Sequence, residues 1–289
     1  MFKSFKSLAP VVRSPVAMQS VADDIDPSAS WQLLQLGVGV PGGGHLVTVN
    51  AHIAPGRLTA ILGPNGAGKS SLLNTLTGQW PKQGGQLLLD GKPLGNWPAA
   101  ALAQRRAMMM QDGAVAFDFS VQEVVELGRY AHRLAPSSDE AGIVAAAMAT
   151  TEVTHLAHRS VQTLSGGERA RTHLARVLAQ IWHGPANGLP RWLLLDEPTA
   201  AMDLAHQHRT MALLREWAAA QGVGVITVVH DLNLALRYAD DVLIVHQGGA
   251  LCGPVHEVLT PQSIAHIWGV GCFAAQAPDG TQQYLFSGS

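Results

Sequence analysis

At 289 residues, with 47% apolar and only 14% charged side chains, the sequence is long enough to bury a sizeable core and too apolar for a disordered or acidic-tail protein. Its 19 basic and 21 acidic residues leave a net charge of −2, which gives no electrostatic reason to expect a nucleic-acid partner. Cys252 and Cys272 are too few for a disulfide framework and suit a reducing cytoplasm, and no apolar run reaches the roughly 18 residues of a membrane-crossing helix.

Residues 1–28 place Lys3, Lys6 and Arg13 ahead of Asp23, Asp24 and Asp26, and are expected to be a disordered tail rather than a targeting peptide. From Trp31 to Val40 and from Leu46 to Ile53 the pattern is strand-like, with a Gly42-Gly43-Gly44 turn between. Leu58 to Leu62 is a continuous apolar run, as expected of a strand buried on both faces. Ser71 to Leu76 reads as a helix closed by Gly78, and Leu87 to Leu89 with Asp90-Gly91 as a short hairpin. Met108 to Met110 reads as a buried strand, and Arg105-Arg106 as a solvated face.

Further along, Ser120-Val121-Gln122-Glu123 is a capping-box sequence, and Ala141 to Glu152 is an alanine-rich helix candidate. Helices are then expected at Glu168 to Trp182, Leu204 to Ala220 and Asn233 to Tyr238. Strands are expected at Trp192 to Leu195, Val223 to Val229 and Val242 to Val245. Buried strands alternating with amphipathic helices predict an α/β fold with a mostly parallel sheet.

Gly63-Pro64-Asn65-Gly66-Ala67-Gly68-Lys69-Ser70 fits the G-x-x-x-x-G-K-[ST] phosphate loop, with a buried strand before it and a helix after it. Glycines let successive N–H groups turn inward on a phosphate, and the helix start adds its positive end. Lys69 would neutralise β- and γ-phosphates, and Ser70 would offer a hydroxyl to Mg²⁺. The strand Leu193-Leu194-Leu195 ends in Asp196, placed to hold Mg²⁺, and Glu197, placed to act as general base. Ser165-Gly166-Gly167-Glu168 reads as a capping box. Its paired glycines leave the helix start open to an anion, so it also reads as a second phosphate site, one that serves another chain's nucleotide.

Leu164-Ser165-Gly166-Gly167-Glu168, between a phosphate loop and a Leu-Leu-Leu-Asp-Glu-Pro strand, resembles the signature of ATP-binding cassette (ABC) subunits over about residues 31 to 260. The resemblance implies a P-loop NTPase cassette with a mostly parallel sheet core, an antiparallel β subdomain and a helical subdomain. Residues 29–270 would form the ATP-binding domain, its helical subdomain at about 112–162, with 271–289 a C-terminal tail. Ser71 would join the loop in binding ATP. Gln111 resembles the family's Q-loop glutamine, which touches Mg²⁺, and Asp203 its D-loop aspartate. His230 resembles the switch histidine that contacts the γ-phosphate. Ser165, Gly166, Gly167, Glu168 and Asp203 would complete the site of a second copy, so that two chains sandwich two ATPs.

The D-loop departs from the family pattern at Ala200 and Met202, and no aromatic stands where adenine is usually stacked; that region offers Val38 and Val40. The segment Val124 to Arg133 and the run His230 to Asp240 resemble importers of haem, metal chelates and vitamin B12. Asp203-Leu204-Ala205-His206-Gln207-His208 and the insertion His183 to Pro190 resemble hemin-import subunits. The resemblance implies a peripheral subunit on the cytoplasmic face of the inner membrane, working with two transmembrane permease subunits and, indirectly, a solute-binding protein. Import of a ferric siderophore or cobalamin is the alternative, and a soluble, non-transport ABC ATPase the more distant one. His206 and His208, two apart on a helix, point to different faces and are not expected to bind metal.

Overall fold

A computed structural model of the chain describes residues 29–110, 118–185 and 187–287. The expected N-terminal tail, residues 1–28, lies outside them, as does Gln111.

Two layers of sheet organise the fold. Strands β1 (Trp31–Gly39) and β2 (His45–Ile53) pair antiparallel, and β4 (Gly84–Leu89) joins the other side of β1, followed by the two-residue β5 (Lys92–Pro93) after the Asp90-Gly91 turn. The alternating strand patterns bury Trp31, Leu33, Leu36 and Val38 from β1 against Val47 and Val49 from β2. Beneath them lies a six-stranded sheet that contains β3 (Leu58–Leu62), β6 (Arg106–Met109), β7 (Trp192–Asp196), β8 (Gly224–Val228), β9 (Asp241–His246) and β10 (Gly249–Pro254). Its order is β10-β9-β3-β8-β7-β6; the β10–β9 pair is antiparallel and every other pair parallel. β3, β7 and β8 are buried at all five positions, which is why they read as unbroken apolar runs.

Helix α1 (Lys69–Thr77) fills the space between the two sheets with Leu72, Leu73 and Leu76, beside the edge-on pair Trp31 and Trp192, whose rings are 6.0 Å apart. On the far face of the parallel sheet lie α6 (Leu204–Gln221) and α7 (Leu232–Tyr238), with α8 (Val255–Val258) and α9 (Pro261–Trp268) following β10. The short α2 (Ala99–Arg105) leads into β6.

A third apolar cluster gathers α3 (Val121–Leu127), α4 (Glu140–Thr150) and the 3₁₀ turns around Leu156 and Val161. Ser120 closes the expected capping box with Glu123 at the start of α3. Helix α5 (Gly166–Gln180) is the shared wall: Leu174, Val177 and Leu178 face the sheet core, while Ala175 and Ala179 face the helical cluster.

Residues read as a C-terminal tail contain an antiparallel hairpin, β11 (Cys272–Gln276) and β12 (Gln282–Phe286), which buries Tyr284 in the core of the large sheet. Among the described residues no helix is long and apolar enough to cross a membrane.

Candidate active site

β3, β8 and β7 are adjacent and parallel, so the segments that leave their C-terminal ends emerge on one edge of the sheet. After β3 the chain turns through Gly63 to Gly68 and enters α1 at Lys69. Gly63 has a φ of 145°, and a Cβ there would lie 2.2 Å from the carbonyl oxygen of Val245, so only glycine lets the loop leave the sheet at this point. Gly68, the N-cap of α1, brings no side chain to the helix start. The N–H groups of Lys69, Ser70 and Ser71 have no acceptor within the helix and suit an anion.

Lys69 is 6% exposed, and its ammonium donates to the carbonyl oxygens of Gly63 at 2.9 Å and Pro64 at 3.0 Å. Burial lowers its pKa, against the opposing pull of Glu197 and Asp196. The Ser70 hydroxyl donates to Asp196 Oδ1 at 3.2 Å, joining the helix start to the end of β7. Asp196 is buried, and burial raises its pKa although the Ser70 hydrogen bond opposes the shift. Both oxygens are hard donors of the kind Mg²⁺ takes, and a divalent cation there would offset the burial of the Asp196 carboxylate, so the residues present fit that ion.

Glu197 has a φ of 49°, a left-handed conformation unusual for a glutamate, which turns its side chain out of line with β7. Its Oε1 lies 2.5 Å from Nε2 of His230, just beyond β8. Lys69, Ser70, Asp196, Glu197 and His230 are thus brought to one edge, with Asn65 and Gly66 of the loop exposed.

The remaining predicted residues form a cluster of their own. Ser165 caps α5, accepting from the Glu168 N–H at 3.3 Å while its own N–H donates to Glu168 Oε2 at 2.8 Å. Asp203 caps α6 through the His206 N–H at 2.9 Å and also meets the His206 ring. Gly166 and Gly167 pack on the D-loop: Cβ atoms there would lie 3.0 Å from Ala201 Cβ and 3.2 Å from Ala201 O. The capping box and the paired glycines therefore coexist, as the sequence pattern suggests.

Residues 46–200 match the ABC transporter family. The chain is 45% identical over 236 residues to a hemin import ATP-binding protein HmuV of Pseudomonas entomophila, covering 81% of this chain and 90% of that protein. It is 46% identical over 245 residues to HmuV of Gloeobacter violaceus, covering 84% and 88%. The chain belongs to the ABC transporter family. Among solved structures it resembles an ABC transporter assigned to the metal-chelate type in an inward-facing conformation, at 26% identity and a TM-score of 0.74, covering 89% of this chain and 97% of that one. It also resembles cbiO1 of Clostridium perfringens, part of the ABC transporter complex cbiONQ, at 29% identity and a TM-score of 0.67, covering 82% and 92%. As an ABC ATP-binding subunit it is an ATPase coupled to transport.

Three features of this ABC subunit correct or extend the sequence reading. Arg105 and Arg106 are not a solvated face. Arg105 is buried between Asp90 and the Pro190 carbonyl, while Arg106 donates to the carbonyls of Leu76 and Thr77, at 2.9 and 2.6 Å, where α1 ends. Burial lowers the Arg106 pKa to about 10. The only signal for this role was the lack of a basic residue in the last turn of α1, whose carbonyls attract a cation. Val38 is fully buried in the core, leaving Val40 as the exposed valine of the Gly37 to Pro41 stretch. Glu152, which carried no sequence signal, has a φ of 58° and accepts from Arg209 at 3.0 Å, with Arg171 and His206 each at 3.8 Å. It joins the end of α4 to the start of α6, beside Asp203.

Proposed function

We propose that this subunit powers an importer whose cargo is hemin, hydrolysing ATP between two copies of itself. The observation that carries the catalytic reading is the Glu197–His230 pair, held on the same sheet edge as Lys69 and Ser70. The cargo reading rests on the named function of relatives that are 45% and 46% identical.

In this reading the loop from Gly63 to Ser71 wraps the phosphates with backbone N–H groups, and Lys69 leaves its carbonyl partners to neutralise the β- and γ-phosphates. Ser70 and Asp196, with Gln111, hold Mg²⁺, which supplies charge neutralisation at the phosphates when bound. Glu197 accepts the proton of the attacking water, and His230 orients that carboxylate and contacts the γ-phosphate. Ser165, Gly166, Gly167 and Glu168 of one copy, with its Asp203, close over the other copy's nucleotide. Closure moves two permease subunits and hydrolysis reopens the pair. The subunit sits on the cytoplasmic face of the inner membrane. Met110, Leu127, Tyr130 and Leu134 are exposed apolar side chains of the kind a protein partner covers.

The test is ATP hydrolysis in liposomes that contain the chain, its permease and its binding protein. Hemin should raise the rate. Stimulation by a ferric chelate or by cobalamin instead moves the cargo to the metal-chelate class, the reading favoured by the solved metal-chelate-type relative. A rate indifferent to all three removes the importer reading.

A further inference from the structure

The switch residue His230 stands at the junction between β8 and the two-turn helix α7, and the C-terminal hairpin is fastened to that helix. The Asn233 side chain acts as a strand partner for Tyr284: its Nδ2 donates to the Tyr284 carbonyl at 3.1 Å, and its Oδ1 accepts from the Tyr284 N–H at 2.7 Å. Asn233 thereby satisfies both backbone groups of one residue, 51 positions away, which a hydrophobic contact would not do. Two further ties hold the hairpin to the same region. Tyr284 is 2% exposed, and its hydroxyl donates to the Leu259 carbonyl at 2.6 Å; the Arg237 guanidinium meets Asp279 in the hairpin turn at 2.9 Å.

These ties bear on the site because of where α7 begins. Asp231 caps it, accepting from the N–H groups of Asn233 and Leu234 at 2.7 and 3.1 Å. The Asn233 backbone is therefore tied to the residue next to His230, while its side chain is tied to the hairpin. A helix of 7 residues has little rigidity of its own, so its docking sets where it starts. The His230 side chain is 48% exposed, so burial alone does not fix it.

We infer that Asn233 is a positioning residue for hydrolysis: by clamping the backbone of Tyr284 it makes the C-terminal hairpin a buttress that holds His230 within reach of Glu197. The inference rests on the reading of His230 given above.

The full-length chain is assayed for MgATP hydrolysis and for binding of a fluorescent ATP analogue, as wild type, Asn233→Ala, His230→Ala and the double variant. Asn233→Ala should lower kcat about tenfold while KM and nucleotide affinity stay within about twofold. The double variant should be no slower than His230→Ala alone, because the two residues act through one contact. Asp279→Ala, which removes the exposed tie to Arg237 and a turn contact to the Thr281 N–H, should fold normally and lower kcat about twofold. Normal turnover in Asn233→Ala overturns the inference, as does a double variant whose loss is the product of the single losses. A slow His230→Ala beside a normal Asn233→Ala sinks the buttress alone. A His230→Ala chain that hydrolyses normally sinks the reading of His230 and the buttress with it.

Discussion

The Nε2 of His230 lies 2.5 Å from Oε1 of Glu197, and the two residues, 33 apart in sequence, meet because β7 and β8 are neighbouring parallel strands that end on the same edge. The imidazole thereby engages one oxygen of the carboxylate. Glu197→Gln keeps the shape and removes the base. Turnover should fall at least about 10²-fold with ATP binding intact, measured by phosphate release and by nucleotide titration. Hydrolysis at the normal rate would remove Glu197 from its assigned role.

Gly63 and Gly66 separate two reasons for glycine in one loop. At Gly63 a methyl group would meet the Val245 carbonyl oxygen at 2.2 Å, so Gly63→Ala should cost at least about 3 kcal/mol and abolish nucleotide binding. At Gly66 nothing lies within 4 Å of an added Cβ, and only the φ of 77° is unfavourable. Gly66→Ala should cost about 1–2 kcal/mol and leave a folded chain. Denaturant titration of the two variants checks the difference.

Ser165 offers a way to tell a helix cap from a site shared between copies. Losing the cap should cost about 1 kcal/mol of stability in Ser165→Ala. If Ser165 also meets the neighbouring copy's nucleotide, turnover should drop at least about tenfold, out of proportion to the change in melting temperature. The specific activity of the wild type should also rise with protein concentration. A loss confined to melting temperature, with concentration-independent activity, would leave Ser165 as a cap alone.

Burial raises the pKa of Asp196 above its ordinary 3.8. Below that ordinary value the carboxyl is protonated in both folded and unfolded chains and does not affect stability. As pH rises from there toward the raised value the unfolded chain gives up its proton first, so stability falls, and above the raised value the loss is complete. Asp196→Asn is spared this loss and keeps an acceptor for Ser70. Without nucleotide it should be more stable than wild type at pH 7, an advantage that shrinks toward pH 4, and it should lose the extra stability conferred by MgATP. Thermal melts across that range, with and without MgATP, check both parts.

Much of the fold could be read from the sequence because its central strands are buried on both faces and therefore mostly apolar. The phosphate loop, Asp196 and the Ser165 capping box were legible for a related reason: each is a local pattern whose chemistry depends on near neighbours. What escaped is either short or non-local. β10 reads Gly-Ala-Leu-Cys-Gly-Pro and is only half-buried, so it lacks a strand signal. Helix α8 has 4 residues, too few to show a period. The hairpin β11–β12 turns Tyr284 inward among glutamines and alanines, and its tie to Asn233 depends on chain folding that no local window contains. Arg105 and Arg106 looked solvated because a charged pair usually is; backbone carbonyls at helix and loop ends gave them partners.

The position of α5 as a wall between two apolar cores has a mechanical consequence. It is 15 residues long, or about 22 Å, with Ser165 at one end and Gln180, bonded to the carbonyls of Ala103 and Arg106, at the other. Pivoted at that second end, a swing of only ~10° carries Ser165 through about 4 Å, more than the length of a hydrogen bond. A modest push on the small helical bundle would therefore be felt most at the Ser165 end of the helix.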